Sequence, residues 1–191
     1  TISGKEVYPR PVQDKLPLWI ATGGHVESTV KIAQAGLPIV YAIIGGNPRY
    51  FKKLIQAYRE IGSEAGHADK DLKVGAHSWG WIAEDGEQAV KDYFHPTKQV
   101  VDAISKDRSH WQELRYEQYL EQVGPNGAMF VGNPDQVAEK LIRMIEDLDL
   151  DRFMLHLPLG SMPHDQVLRA IELFGTQVAP KVRAYFVMKE G

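Results

Sequence analysis

The 191-residue chain contains no cysteine, which excludes disulfide cross-links and thiol chemistry and agrees with a cytoplasmic protein. It has no apolar run near the roughly 18 residues that a membrane-spanning helix needs. Positive charge is not in excess either. The 22 Lys and Arg are matched by 25 Asp and Glu, leaving a net charge of −3 and a sequence pI of about 6.1, so there is no footprint for nucleic acid. The phosphate loop G-x-x-x-x-G-K-[ST] is missing, and "GGHVES" lacks the third glycine of G-x-G-x-x-G, which argues against an ATPase or a Rossmann dehydrogenase. No G-x-S-x-G elbow offers a serine nucleophile. No H-x-x-x-H pair or carboxylate cluster has metal-ligand spacing, so no metal is expected. No N-terminal signal peptide is visible. The chain starts at Thr1 rather than Met, which suggests a processed or excised piece of something longer.

What the chain does have is an ordinary globular composition, 43% hydrophobic and 25% charged, over a length that suits one domain spanning residues 1–191. Short apolar runs alternate with helical periodicity. "LPLWIATG", "LPIVYAIIGG", "LKVGAHSWGWIAED" and "DRFMLHLPLG" read as strands, the first a nearly continuous apolar run of the kind covered on both faces. Between them lie helices with clear ends. Gly36 sits where the first should be capped. Asn47 and Pro48 start the second, on a stripe of Phe51, Leu54, Ile55 and Tyr58. Asn133, Pro134 and Gln136 form a capping box for the helix whose buried face is Val137, Leu141, Met144, Ile145 and Leu148. "SMPHDQVLRAIELFGTQVAPKVR" reads as one closing helix. The polar, aromatic-rich stretch at about 85–128 is too long for a connection and reads as a helical insertion, with "GEQAVKDYF" and "HWQELRYEQYLEQVG" its clearest helices. The order β-α-β-α-β-α-β-α implies an α/β fold with a parallel sheet.

Ligands of parallel α/β folds sit at the carboxyl ends of strands. Those ends here are "ATGGH", "IIGGN", "HSWGW" and "PLGSMPH". Gly23–Gly24 and Gly45–Gly46 follow consecutive strands. Such turns place free backbone N–H groups at a helix start, the arrangement that attracts phosphate, although a plain turn would also favour glycine. His25 and Ser28 lie on the first helical turn, where Ser28 either meets a phosphate oxygen or caps its own helix. Strand alternation sends His77, Trp79 and Trp81 to one face and Ser78 to the other. His156 lies inside the last strand and reads as a core or lumen histidine, and His164 lies at a helix start.

Taken together, "PLWIATGGHVES", "GLPIVYAIIGGNPRYF", "LKVGAHSWGWIAED", "MFVGNPDQVAEKL" and the closing segment from "DRFMLHLPLG" to "ELFGTQVAPKVR" resemble the C-terminal half of a bacterial luciferase-like monooxygenase. The resemblance runs from about residue 4 onward and is weakest at 85–128. It implies strands five to eight of a TIM-type (β/α)8 barrel, with FMN at the C-terminal face; the deazaflavin F420 is the less favoured cofactor. It assigns flavin-phosphate contact to Thr22, Gly23, Gly24, His25 and Ser28, with Gly45 and Gly46 beside them, and makes His77 the residue to examine as a proton donor or ring contact. The implied reaction is oxidation of a small organic substrate by reduced FMN and dioxygen, with a flavin reductase as partner and a homodimer or larger assembly. A full barrel takes about 250 residues, so four βα units leave the chain a fragment, half of a two-chain barrel, or a non-catalytic flavin- or phosphate-binding subunit that needs a partner.

Overall fold

In a computed structural model, residues 3–4, 8–14, 16–109 and 111–190 are described. Parts of the polar lead-in and His110 of the "HWQ" stretch lie outside them. The described residues form five parallel strands: β1 (Ile20–Thr22), β2 (Ile39–Ala42), β3 (Val74–Ile82), β4 (Phe130–Gly132) and β5 (Arg152–His156). β1, β2, β3 and β5 lie side by side in chain order, each followed by helix on the way to the next. α1 (Val26–Gln34) and α2 (Phe51–Glu64) are the first two of these helices.

β3 is the nine-residue axis of the sheet. It carries β2 along Val74–His77, β5 along Gly75–Trp79 and β4 along Gly80–Ile82. β4 was not among the strands expected from sequence. At three residues it is too short to show a period, and it runs directly into the Asn133 cap. Its pairing depends on Gly80, because a Cβ there would collide with the Phe130 carbonyl oxygen.

The insertion is helical, as expected, but divided differently. α3 (Gly86–Asp107) is a single 22-residue helix with Pro96 inside it, and α4 begins only at Tyr116 and runs to Val123. Residues 111–114 are not helical because side chains of α3 take the backbone groups of Leu114. Asp102 accepts from the Leu114 N–H at 2.8 Å, and Lys98 donates to the Leu114 carbonyl at 3.1 Å. α5 (Pro134–Leu148) has the expected capping box, with Asn133 accepting from the Gln136 N–H at 3.0 Å and Gln136 accepting from the Asn133 N–H at 2.9 Å. The closing helix is two helices, α6 (His164–Leu173) and α7 (Ala179–Glu190), joined by a π-turn at Phe174–Val178. Pro180 explains the change. It has no N–H to donate, and its ring crowds the carbonyl four residues back, so the preceding turn widens.

The two faces of the sheet differ. Ile39, Tyr41, Val74, Ala76 and Ser78 are buried beneath the helices. The Tyr41 hydroxyl meets Thr29 of α1 at 3.2 Å, and the Tyr58 hydroxyl of α2 donates to the Leu37 carbonyl at 2.9 Å, which locks both helices to β2. The opposite face carries Val40, Ala42, His77, Trp79, Arg152, Met154 and His156. On it Arg152, Met154 and His156 are exposed, and the Arg152 guanidinium lies over the Trp19 ring at 4.6 Å. No described helix is long and apolar enough to cross a membrane.

Candidate cofactor and active site

The strand register brings the expected residues to one end of the sheet. Thr22 pairs with Tyr41 and Tyr41 with Ala76, so Gly23, Ala42 and His77 form the next row. An open cleft of about 550 Å³ lies there, lined by Gly23 and Gly45 from the turns, Trp79 from β3, and Trp111, Gln118 and Met129 from the insertion and the segment after it. The size suits a cofactor or small organic ligand.

The four glycines of the turns are not equivalent. Gly24 has φ +96°, and a Cβ there would lie 2.8 Å from the Phe51 ring, so the fold itself demands glycine at this position. Gly23 and Gly45 have no such constraint: nothing lies within 4 Å of an added Cβ at either. Gly46 is equally open but takes φ +75°. Gly23 and Gly45 are therefore the points where backbone is bare toward the cleft.

α1 begins beside them. His25 occupies its cap position without a side-chain cap, and the first helical bond runs from the Thr29 N–H to the His25 carbonyl at 3.0 Å. The N–H groups of Val26, Glu27 and Ser28 accordingly have no partner among the described residues, which leaves the positive end of the helix open to an anion. Ser28 is half-buried and does not cap its helix. Thr22 is buried and accepts from the Gly24 N–H at 3.4 Å, a contact that shapes the turn. If Ser28 bonds a phosphate oxygen, Ser28→Ala costs about 1 kcal/mol, roughly a fivefold rise in the dissociation constant of a phosphate-bearing ligand by titration.

His77 faces the open side of the sheet, half-buried, with its ring stacked against that of His156 at 6.2 Å between centroids and 29° between planes. Burial, and then the His156 charge, push the His77 imidazole below its ordinary pKa. Trp79 is buried on the same face and meets Trp111 at 6.3 Å. Trp81 instead stacks on Tyr93 of α3 in the core. Ser78 turns to the opposite face and donates to the Ala128 carbonyl, a structural bond. His164 is exposed at the start of α6.

The cleft wall made by the insertion was not legible as site. It depends on two anchors. Lys98 and the Leu114 N–H hold Asp102 in place, with the Lys98 ammonium keeping that carboxyl below its ordinary range. Lys140 of α5 is buried and donates to the carbonyls of Val123, Gly124 and Met129 at 2.9, 2.6 and 2.6 Å. It thereby fastens the end of α4 and the segment leading into β4. Its signal in the sequence was its position: residue 140 falls on the same helical stripe as Val137, Leu141 and Met144.

Residues 1–151 match the family model of the luciferase-like monooxygenases. The chain belongs to the luciferase-like monooxygenase family. Solved structures agree on the fold. This luciferase-like chain is similar to the monooxygenase RslO1 from Streptomyces bottropensis, with a TM-score of 0.74 and 20% identity over 91% of this chain and 50% of that one. It is also similar to an F420-dependent secondary alcohol dehydrogenase solved with an F420–acetone adduct (TM-score 0.61, 19% identity, 92% and 51% covered). A third is the oxygenating constituent of 3,6-diketocamphane monooxygenase from the CAM plasmid of Pseudomonas putida, solved with FMN (TM-score 0.57, 17% identity, 86% and 48% covered). The luciferase-like chain thus spans about half the length of the solved structures it matches, and its parallel sheet with outer helices corresponds to half of their barrel. No curated protein matches the sequence at a significant level.

Proposed function

We propose that this luciferase-like chain forms the phosphate-binding half of a flavin-dependent monooxygenase, in which reduced FMN and dioxygen oxidise a small organic substrate. The observation that carries the proposal is the pairing of bare backbone at Gly23 and Gly45, which line a cleft whose size suits a flavin, with the uncapped start of α1 that follows Gly24. These features suit a phosphate: close backbone approach, free N–H donors, and the positive end of a helix. When bound, a flavin supplies the redox chemistry that no side chain here supplies. The FMN and F420 in similar structures support a flavin-type cofactor, and FMN is the choice proposed.

Each group of this chain then has a limited task. Gly23, Gly45 and the N–H groups of Val26 to Ser28 hold the phosphate. Trp79 and Trp111 form an apolar wall that excludes water from the reacting end. His77 holds or passes a proton at a ring nitrogen that faces the open side of the sheet. Its lowered pKa keeps the imidazole neutral near pH 7, ready to accept a proton.

The reading is tested by mixing the full-length protein with reduced FMN and then oxygenated buffer, following the return of flavin absorbance. Reoxidation at a rate different from that of free FMN is expected. A second reading, a flavin- or phosphate-binding subunit without catalysis, draws on the exposed Met154 and His156 on the side of the sheet that a barrel would enclose. Binding of FMN with reoxidation unchanged at saturating protein favours that reading.

A further inference from the structure

We infer that His77 and His156 work as one unit, two stacked imidazoles that hold at most one added proton between them, with His77 the proton-handling residue and His156 its positioning partner. The inference rests on reading the cleft as an active site, and it adds to that reading a residue so far without a role. His156 comes from the neighbouring strand. It pairs with Trp79, one step further along the register than the His77–Met154 pair, so both rings project from the same face. Their planes differ by 29° and their centroids lie 6.2 Å apart.

Among the described residues no side chain or backbone group hydrogen-bonds to a nitrogen of either imidazole. The adjoining positions on the same face of β1 and β2 are Ala21, Val40 and Ala42, which carry no charge. On β5 the nearest charged residue of that face is Arg152, whose guanidinium is turned onto Trp19. Glu121, which lines the cleft, belongs to α4. A catalytic histidine is commonly oriented by a carboxylate; among the described residues none faces His77, and the group packed on its ring is the His156 imidazole.

Two consequences follow from this arrangement. Protons on both rings would set two cations face to face with no counter-charge among the described residues, so protonation of one ring disfavours protonation of the other. From two neutral rings, His77 takes a proton from a substrate and releases it to water, which restores the starting state. His156 therefore sets the pH at which His77 holds its proton and fixes the ring plane without touching substrate.

The test is an imidazole titration by nitrogen-edited NMR on the full-length protein without cofactor, comparing the wild type with His156→Gln and His156→Phe. Both substitutions fall at an exposed position. In both variants His77 is expected to titrate higher by roughly half a pH unit, because a repelling neighbour has gone. His156→Phe, which keeps a stacked ring, is expected to retain more turnover than His156→Gln, with kcat rather than KM affected. His77 titration unchanged in both variants would overturn the inference. If titration shifts but the protein neither binds flavin nor turns over, the imidazole pair stands and the flavin reading fails.

Discussion

Gly45→Val is expected to remove FMN binding while leaving thermal stability unchanged. Gly45 is exposed, has no neighbour within 4 Å of an added Cβ, and has no positive φ that a branched residue would strain. A valine there meets nothing in the protein and fills only the space where a ligand would approach. If the phosphate rests on this backbone, several hydrogen bonds to an anion are displaced together. At roughly 1.5 to 3 kcal/mol each, the loss of even two means a hundredfold or greater fall in affinity. Gly24→Val makes the contrasting control. The positive φ of Gly24 and the 2.8 Å approach to Phe51 predict loss of stability whether or not a ligand binds nearby. Flavin fluorescence titration and thermal melts on both variants separate the two effects. Full FMN affinity in Gly45→Val would remove this turn from the site.

Lys140→Met is expected to lower stability by about 3 kcal/mol, or roughly 6–12 °C in melting temperature. The substitution keeps the length and apolar character of the side chain and removes the ammonium, so the carbonyls of Val123, Gly124 and Met129 lose their buried donor. The difference should also depend on pH. Burial, with a smaller effect from Arg143, pushes the Lys140 ammonium down to about 7. In the unfolded chain a lysine titrates near 10.4. Between those values the unfolded state binds more protons than the folded state, so the wild type gains stability as pH rises. The gap between the wild type and Lys140→Met is expected to widen from pH 7 to about pH 10 in denaturant melts. A gap that narrows would show that the ammonium remains charged in its carbonyl cage.

Much of the fold could be read from the sequence because its signals are local. The Asn133–Gln136 capping box, the Asn47–Pro48 start and the glycine ends of β1 and β2 each need only a few adjacent residues. β4 was missed because three residues show no period, and its pairing depends on Gly80, fifty residues earlier. The start of α4 was misplaced because Lys98 and Asp102 reach across to Leu114, a contact that no local pattern contains. The same limit applied to the site. The glycine turns could be named from sequence, but not the difference between Gly24, held by Phe51, and Gly45, which faces open space. The His77–His156 stack depends on the β3–β5 register, which the sequence does not encode in either strand alone. Trp111 and Met129 join the cleft only through the folding of the insertion and the segment after it.

The most direct measurement of the central claim is the affinity of the full-length protein for FMN beside riboflavin, which differ only in the phosphate. With the phosphate held by Gly23, Gly45 and the start of α1, FMN is expected to bind at least about a hundredfold more tightly, from two charge-assisted hydrogen bonds at the low end of their usual range. Equal affinities, or no binding of either, would contradict a flavin phosphate at this end of the sheet.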